Sequence, residues 1–283
     1  MKALFLYSYS PGNGRIVKKI DYIERRLMEI FPTHVTLRAS SIGELEENAK
    51  KACREFDVLL FAGGDGTFNR IINAIAFETK RPILGYISSG TLSDFGRNFG
   101  IGHNIRKSLN IIQRGKIQSF DIGCINQTTF FTYIVAIGTF SEISYSTKRI
   151  RLRKFGKLAY YVNAVKDAII PHHFEVNITI DGVSTKHVVP FFLLLNSRYV
   201  GGFSVNFTNE VDDGKFDVYL TKPGLFNGLL NYALGKRKTD HYRVDRISVH
   251  PEIDTPWCID GEKGIKGDIE IVLLKKHLTI FTK

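Results

Sequence analysis

The chain has 283 residues, of which 43% are hydrophobic and 24% are charged, and its formal net charge is +11. This size and composition exclude wholesale disorder and predict one large domain or two smaller ones. The positive charge favours an anionic partner, which a nucleotide, a nucleic acid or an acidic membrane face would each supply.

The positions of the basic residues and the cysteines indicate the compartment of the protein and the kinds of site to expect. Basic residues cluster at 148–157 and 236–238, and three cysteines lie far apart without a CxxC pair. A disulfide framework or a zinc site is therefore not expected, and a reducing compartment fits. The first residues form a strand-like run without a signal-peptide pattern, and no apolar run has the length of a membrane span. These features predict a cytoplasmic protein.

Strand and helix patterns alternate over the first 120 residues. Strand-like segments occupy 3–7, 35–37, 57–61 and 82–87, and helical patterns occupy 15–31, 41–54 and the stretch after Gly66. Such alternation predicts a parallel sheet that is covered by helices on both faces.

Strand-like segments predominate in the rest of the chain. They occupy 118–125, 129–137, 174–180, 186–195, 216–221, 244–250 and 269–274, and only 155–170 and 225–234 have helical patterns. Runs of strands after an alternating half predict a second, mostly antiparallel β domain. The short join near 115–121 makes the cleft between the two halves the expected place for a site.

Glycine-rich turns are the most informative local pattern. Gly63, Gly64 and Gly66, with Asp65 and Thr67, follow a buried strand and open a helix. Glycines admit an anion close to backbone amides, and the helix dipole favours negative charge there. A tight turn capped by Asp65 would explain the same residues. Walker A and complete GxGxxG patterns are absent from the sequence.

Two more turns of this kind lie at 10–15 and 88–97, each after a neighbouring predicted strand. Ligands of open parallel sheets bind outside the carboxyl ends of the strands. Three such turns together favour a nucleotide site over a set of unrelated structural turns.

Motif order over essentially the whole chain resembles the catalytic domain of the diacylglycerol kinase superfamily, which includes soluble bacterial lipid kinases. The matching segments are SPGNG at 10–14, GGDGT at 63–67, SGTLSDFGR at 89–97, FGKLAYY at 155–161, DDGKFD at 212–217 and DGE at 260–262. Any one of them could arise by chance, but their shared order is specific.

The resemblance implies a fold and an activity. The fold would be an α/β nucleotide-binding domain at 1–119, completed by about 276–283, and a β-rich lipid-binding domain at 120–275, an antiparallel sandwich. The enzyme would transfer the γ-phosphoryl group of ATP, with Mg²⁺ as a second cofactor, to diacylglycerol or a related lipid, giving a phosphatidic-acid-type product. The positive charge then predicts peripheral binding to an anionic membrane surface. Nucleic-acid binding is the weaker alternative, because aromatic and basic residues do not interleave in a recognisable module. Soluble relatives suggest a homodimer.

The family's roles carry over to matching positions. The residues implied to bind ATP are Ser10, Asn13, Gly63, Gly64, Asp65, Gly66, Thr67, Gly90 and Thr91. The implied catalytic residues are Glu262, as the base for the lipid hydroxyl, with Asp260 nearby and Asp65 at the phosphates. The loop with Asp213 and Lys215 resembles a structural Mg²⁺ site that is linked through water to Asp94.

Departures from the family pattern keep alternatives open. Arg70, Ser88 and Ser93 stand where the family usually has glutamate, proline and asparagine, so a weak or inactive lipid- or nucleotide-binding homologue is a second hypothesis. NAD kinase shares GGDGT and is a third, although its NE-and-DG substrate segment has no counterpart here. The identity of the lipid depends on pocket shape and is left open by the sequence.

Overall fold

The structure is a computed structural model that describes residues 1–8, 14–90, 93–138, 173–200, 203–204, 210–221 and 239–283. The chain divides into two compact units, Met1–Asp121 with Lys275–Lys283, and Ile122–Leu274. Both basic clusters and both helices predicted for the second half lie outside the described residues. No helix of the described ranges is long and apolar enough to cross a membrane.

The first unit alternates strands and helices. Its elements are β1 (Ala3–Ser8), α1 (Gly14–Val17), α2 (Ile20–Ile30), β2 (His34–Ala39), α3 (Ile42–Glu55), β3 (Val58–Gly63), α4 (Asp65–Ile75), β4 (Ile83–Ser88), α5 (Asp94–Arg97) and α6 (Ile105–Arg114). The strands pair in parallel in the order β2-β1-β3-β4. Helix α3 packs on α4, and α2 packs on α6. The C-terminal strand also joins this sheet, since Ile280 pairs in parallel with Leu84.

Capping side chains explain where the helices begin. The Ser41 hydroxyl accepts a hydrogen bond from the Glu44 amide at 3.1 Å, and the Glu44 carboxylate accepts one from the Ser40 amide at 2.7 Å. This reciprocal pair stabilises the first turn of the predicted helix α3. Helix α6 was missing from the sequence prediction, although Asn104 caps its start and Gly115, at φ +70°, ends it. The single helix predicted for 15–31 is two helices, α1 and α2.

Antiparallel strands make up the second unit. The remaining elements are β5 (Ile117–Ile125), β6 (Thr129–Phe131), β7 (Ile134–Gly138), β8 (Phe174–Ile180), β9 (Val183–Val189), β10 (Phe191–Leu195), β11 (Tyr199–Val200), β12 (Phe203–Ser204), β13 (Phe216–Thr221), β14 (Thr239–Val244), β15 (Arg246–Pro251), β16 (Cys258–Ile259), β17 (Glu262–Lys263) and β18 (Ile269–Phe281). One sheet has the strand order β14-β13-β10-β7-β16-β17. In a second set of paired strands, the N-terminal part of β18 pairs with β15, and the order is β18-β15-β8-β9. The chain passes between the units within β5 and β18.

One hydrophobic cluster holds the second unit together. It contains side chains from both strand orders, including Phe192, Val249 and Ile271, all with no exposed area. Trp257 is fully buried in this cluster, and its ring meets that of Phe192 edge-on with 5.6 Å between the ring centroids. A parallel α/β unit followed by an antiparallel β unit confirms the predicted fold class.

Candidate functional site

The turn from β3 to α4 holds the GGDGT motif. Gly64 precedes the helix, which begins at Asp65, and the Phe68 amide donates the first intrahelical hydrogen bond to the Gly64 carbonyl at 3.0 Å. The amides of Asp65, Gly66 and Thr67 have no acceptor within the helix. An anion placed at this terminus would meet those amides and the positive end of the helix dipole.

Two glycine turns touch each other here. Gly63 pairs with Ser88 across the parallel strands β3 and β4, and the Ser89 amide donates to the Gly63 carbonyl at 2.8 Å. A Cβ atom on Gly90 would lie 2.7 Å from the Cα atom of Gly64, so the two backbones leave no space for a side chain. The predicted proximity of these turns is therefore observed, whereas Ser10, Asn13 and Thr91 lie outside the described residues.

Gly63, the first glycine of the motif, is required by the packing of helix α4. A Cβ atom on Gly63 would come within 2.4 Å of the Thr67 side chain one turn along α4. The close approach keeps the hydroxyl of Thr67 beside the end of β3. Glycine at 63 is thus required by packing as well as by any bound anion.

The floor of this region includes Tyr86, which the sequence analysis did not single out. Its hydroxyl donates to the Gly63 carbonyl at 3.1 Å, and its ring stacks on Phe61. Burial raises the pKa of Tyr86 well above its usual value, and the nearby Asp65 carboxylate raises it further. The tyrosine is thus a neutral donor that fixes the end of β3. An isolated aromatic residue in a strand gives no sequence signal for such a role.

Asp94 is buried at the start of α5, with 2% of its surface exposed. Its neighbour Phe95 packs against Phe68 of α4 at 5.0 Å between ring centroids. The GTLSDF segment is thereby attached to the helix that begins with GGDGT. The metal role of Asp94 stays a prediction.

The DGE motif is a two-residue hairpin turn in the second unit. Asp260 and Gly261 have φ values of +47° and +79°, and they connect Ile259 of β16 to its partner Glu262 of β17. Aspartate followed by glycine is favoured where both turn residues have positive φ. Glu262 is exposed, as a proton acceptor for an external hydroxyl group has to be.

Asp260, in contrast to the exposed Glu262, is buried, with 3% of its surface exposed. Its carboxylate accepts four hydrogen bonds. The donors are the amides of Thr132, Tyr133 and Ile134 and the hydroxyl of Thr132. These bonds connect the DGE turn to the segment before β7. The catalytic role implied for Asp260 stays a prediction, and its contacts favour a different one.

Asp213 lies in the loop that resembles a structural magnesium site. Its Oδ1 accepts from the Lys215 amide at 3.0 Å, and its Oδ2 accepts from the Arg243 guanidinium at 2.5 Å and from the Glu210 amide at 3.3 Å. The Lys215 ammonium group pairs with Asp245 at 3.0 Å. A divalent cation on Oδ2 would lie against the Arg243 charge, so this arrangement does not fit a resident magnesium ion.

The described ranges contain no group of three His, Cys, Asp or Glu side chains that could hold a metal ion. Sequence reasoning missed Arg243, a residue of β14 that pairs with Asp213. Its motif partner lies thirty positions earlier in the chain, and only the pairing of β13 with β14 brings it close.

Arg70 has a structural partner of its own. Its guanidinium group pairs with Glu46 of α3 at 3.2 Å, and both side chains are partly exposed. The family usually has glutamate at this position, so Arg70 reverses the charge. The ion pair with Glu46 of α3, the helix that packs against α4, compensates for that reversal.

Known proteins resemble the chain in sequence and structure. Residues 2–125 match the family model described as diacylglycerol kinase catalytic domain. A diacylglycerol kinase of Staphylococcus saprophyticus is 31% identical over 293 residues, covering 99% of this chain and 95% of that protein. The diacylglycerol kinase of Bacillus subtilis is 28% identical, covering 96% and 94%. A crystal structure of a diacylglycerol kinase from Bacillus anthracis str. Sterne superimposes with a TM-score of 0.86 at 24% identity, covering 100% and 97%, and supports the fold.

Proposed function

This chain belongs to the diacylglycerol kinase family and is an ATP-dependent lipid kinase, and on that premise we propose that its acceptor is diacylglycerol or a related lipid, which it converts to a phosphatidic-acid-type product. The observation that carries the proposal is the pair of glycine turns in backbone contact at the N-terminus of α4. The relatives named diacylglycerol kinase match along both units, which supports a glycerolipid acceptor over NAD.

Phosphoryl transfer needs an anchored nucleotide. We assign the triphosphate to the α4 amides at Asp65, Gly66 and Thr67, next to Gly64 and Gly90. Magnesium bound to the ATP phosphates would neutralise charge on the transferred group. Asp65 lies at the first helical position and is suited to orienting the complex.

The reaction also needs a proton acceptor. In the proposed step, the lipid hydroxyl oxygen forms a bond to the γ-phosphorus while the bond from that phosphorus to the bridging β–γ oxygen breaks. ADP leaves with the electron pair, and the hydroxyl proton passes to the Glu262 carboxylate. The exposure of Glu262 at the tip of a hairpin suits it to this role.

We further propose that the protein acts peripherally at an anionic membrane surface in the cytoplasm, without nucleic acid and as a homodimer. The net charge of +11 supports binding to the membrane, because electrostatic attraction between basic residues and anionic lipids lowers the free energy of the bound state. The homodimer rests on the resemblance to soluble relatives alone.

Labelled phosphate transfer from ATP to a lipid panel tests the proposal. The panel contains diacylglycerol, monoacylglycerol, phosphatidylglycerol, a sphingoid base and undecaprenol in mixed micelles, with NAD as a further acceptor. Glu262→Gln should lower kcat on the true acceptor about 10²–10⁴-fold while ATP remains bound. Glu252→Gln, which makes the same change at an exposed carboxylate of the same unit, serves as the matched control.

The outcomes separate the hypotheses. Transfer to one lipid that depends on Glu262 supports the kinase and names its acceptor. Nucleotide binding without transfer to any member of the panel would favour an inactive homologue. Full activity of Glu262→Gln would refute the assigned proton acceptor.

A further inference from the structure

The Asp260 carboxylate has its hydrogen-bonding capacity filled by one short segment. Its Oδ2 accepts from the Thr132 amide at 2.7 Å and from the Thr132 hydroxyl at 2.8 Å. Its Oδ1 accepts from the amides of Tyr133 at 2.9 Å and Ile134 at 3.2 Å. An ionised carboxylate has about four acceptor sites, so these donors occupy them. A group in this state is poorly suited to take a proton from a substrate.

Asn196 binds the same segment by donating hydrogen bonds to the backbone carbonyl groups of that segment. Its side-chain amide donates to the Thr132 carbonyl and its backbone amide to the Tyr133 carbonyl, each at 3.0 Å. The Asp260 amide donates to the Ile134 carbonyl at 3.0 Å. Asp260 and Asn196 therefore bind all six backbone polar groups of Thr132–Ile134.

Both clamping residues are buried, since Asn196 has no exposed surface and Asp260 has 3%. Hydrogen bonds in such surroundings are costly to break, because water does not replace the lost partner. The clamp is thus a rigid connection between β10, the start of β7 and the DGE turn. Asp260 belongs to the DGE motif at 260–262, so the clamp acts directly on that turn.

Glu262 depends on this connection for its position. It lies two residues after Asp260, and its backbone pairs with Ile259 across the turn. Asp260 itself has φ +47°, a conformation that is uncommon for aspartate outside turns and that the four hydrogen bonds hold in place. Displacement of Asp260 would move the hairpin and shift the carboxylate of Glu262.

We infer that Asp260 is a positioning residue, which together with Asn196 clamps Thr132–Ile134 and thereby holds Glu262 where it accepts the proton. The inference rests on the proposed function, in which Glu262 is the acceptor. It replaces the catalytic role that the family resemblance implied for Asp260.

Thr132 gives the sharpest test, because its hydroxyl can be removed without touching either acid. Thr132→Val deletes one hydrogen bond to Asp260, whereas Thr132→Ser retains it. A positioning role predicts that Thr132→Val lowers kcat about 10-fold, within the range known for groups that orient a reacting ligand, while the KM for ATP stays unchanged. Thr132→Ser should restore most of the rate.

The pH profile separates positioning from direct proton transfer. Loss of a donor raises the pKa of the carboxylate that accepted from it. If Asp260 were the proton acceptor, Thr132→Val would move the acid limb of kcat/KM to higher pH. Positioning predicts an unchanged acid limb with a lower plateau. A moved limb, or a Thr132→Val protein with full activity, would overturn the inference.

A double-mutant cycle gives an independent readout. Asp260→Asn places amide hydrogens against the clamp donors and should lower kcat about 10–100-fold in a protein that circular dichroism shows to be folded. In a Glu262→Gln background the same change should add no further loss, since Asp260 acts through Glu262. Independent losses would overturn the inference. If Asp260→Asn does not fold, or if Glu262→Gln has no residual activity, the double-mutant cycle cannot be measured. The inference is then tested by the rates and pH profiles of Thr132→Val and Thr132→Ser. Full activity of Glu262→Gln would instead refute the assigned proton acceptor, on which the inference rests, and would leave the lipid kinase activity itself standing.

Discussion

The buried hydroxyl of Ser88 donates a hydrogen bond to the hydroxyl of Ser93 over 2.7 Å. These are two of the positions at which the chain departs from the family motifs, and the structure shows that the departures are paired. Ser93 has φ +53°, in the left-handed region where asparagine is favoured over serine. The bond to Ser88 helps to hold Ser93 in that conformation at the start of α5.

A double-mutant cycle on this pair should show coupling. Ser88→Ala and Ser93→Ala should each lower the free energy of unfolding by about 1 kcal/mol, since each leaves the other buried hydroxyl with one partner fewer. The double variant should cost less than the sum, with a coupling of at least about 0.5 kcal/mol. Urea unfolding of the four proteins measures this, and additive losses would contradict the pairing.

Gly90→Ala should weaken ATP binding. The added Cβ atom would lie 2.7 Å from the Cα atom of Gly64, so the two turns have to separate. We expect the dissociation constant for ATP, measured by calorimetry, to rise about 10-fold or more, equivalent to about 1.4 kcal/mol. Gly102→Ala is the matched control, because its Cβ atom meets no other atom within 4 Å. Equal affinities in the two variants would argue against the site.

Local patterns were sufficient to predict much of the fold. The strands at Phe174–Ile180 and Phe216–Thr221 have the predicted bounds. Alternating and continuous apolar runs specify strands directly because a strand face repeats every two residues. The predicted strands at 129–137 and 186–195 each join parts of two strands, since hydrophobic residues lie on both sides of the breaks at Thr132 and Pro190. The predicted strand at 244–250 is mainly β15, and most of β14 was missed because its residues are largely polar.

Contacts between distant residues were beyond the reach of sequence reasoning. The family resemblance implied a catalytic role for Asp260 through the DGE motif, but no local pattern indicated its hydrogen bonds to Thr132 and Ile134, which lie 128 and 126 positions earlier in the chain. Arg243 gave no signal as the partner of Asp213, because their proximity depends on the register between β13 and β14. The glycine turns were predictable because strand order places neighbouring turns at one edge of a parallel sheet.

Membrane attachment should depend on salt. With a net charge of +11, the protein should show higher activity on vesicles that contain phosphatidylglycerol than on neutral phosphatidylcholine vesicles. Raising the salt concentration from about 0.05 to 0.5 M should remove most of that difference, because the Debye length falls below 5 Å. Flotation of the protein with vesicles, followed by activity assays, measures both effects. Activity that is independent of salt on anionic vesicles would contradict the electrostatic part of the proposal.

His277 should make the protein less stable in mild acid. Burial lowers the pKa of His277 below its ordinary value near 6.5, against the raising effect of its hydrogen bond to the Ala76 carbonyl, and Arg81 lowers it further. The unfolded chain therefore binds the proton more readily, so the contribution of the neutral imidazole is complete above about pH 6.5 and is lost as the pH falls below it. Urea unfolding between pH 7.5 and 5 should show a steeper decline for the parent protein than for His277→Gln. His250→Gln, at a half-exposed position, is the control.

Arg243 should make the loop around Asp213 independent of magnesium. Arg243→Ala removes the cation from Asp213 and from the fully buried Asp217, whose Oδ1 lies 3.7 Å from the arginine Nε atom. We expect a loss of about 1–2 kcal/mol in the free energy of unfolding, between the values typical of exposed and buried pairs. In the absence of ATP, EDTA should leave the Tm of the parent protein unchanged, whereas millimolar Mg²⁺ should raise the Tm of Arg243→Ala by occupying the vacated carboxylates. Arg246→Ala, which breaks a more exposed pair with Glu270, should show neither effect. A fall in the Tm of the parent protein on adding EDTA would contradict this prediction and would support the resident magnesium site that the family resemblance implied.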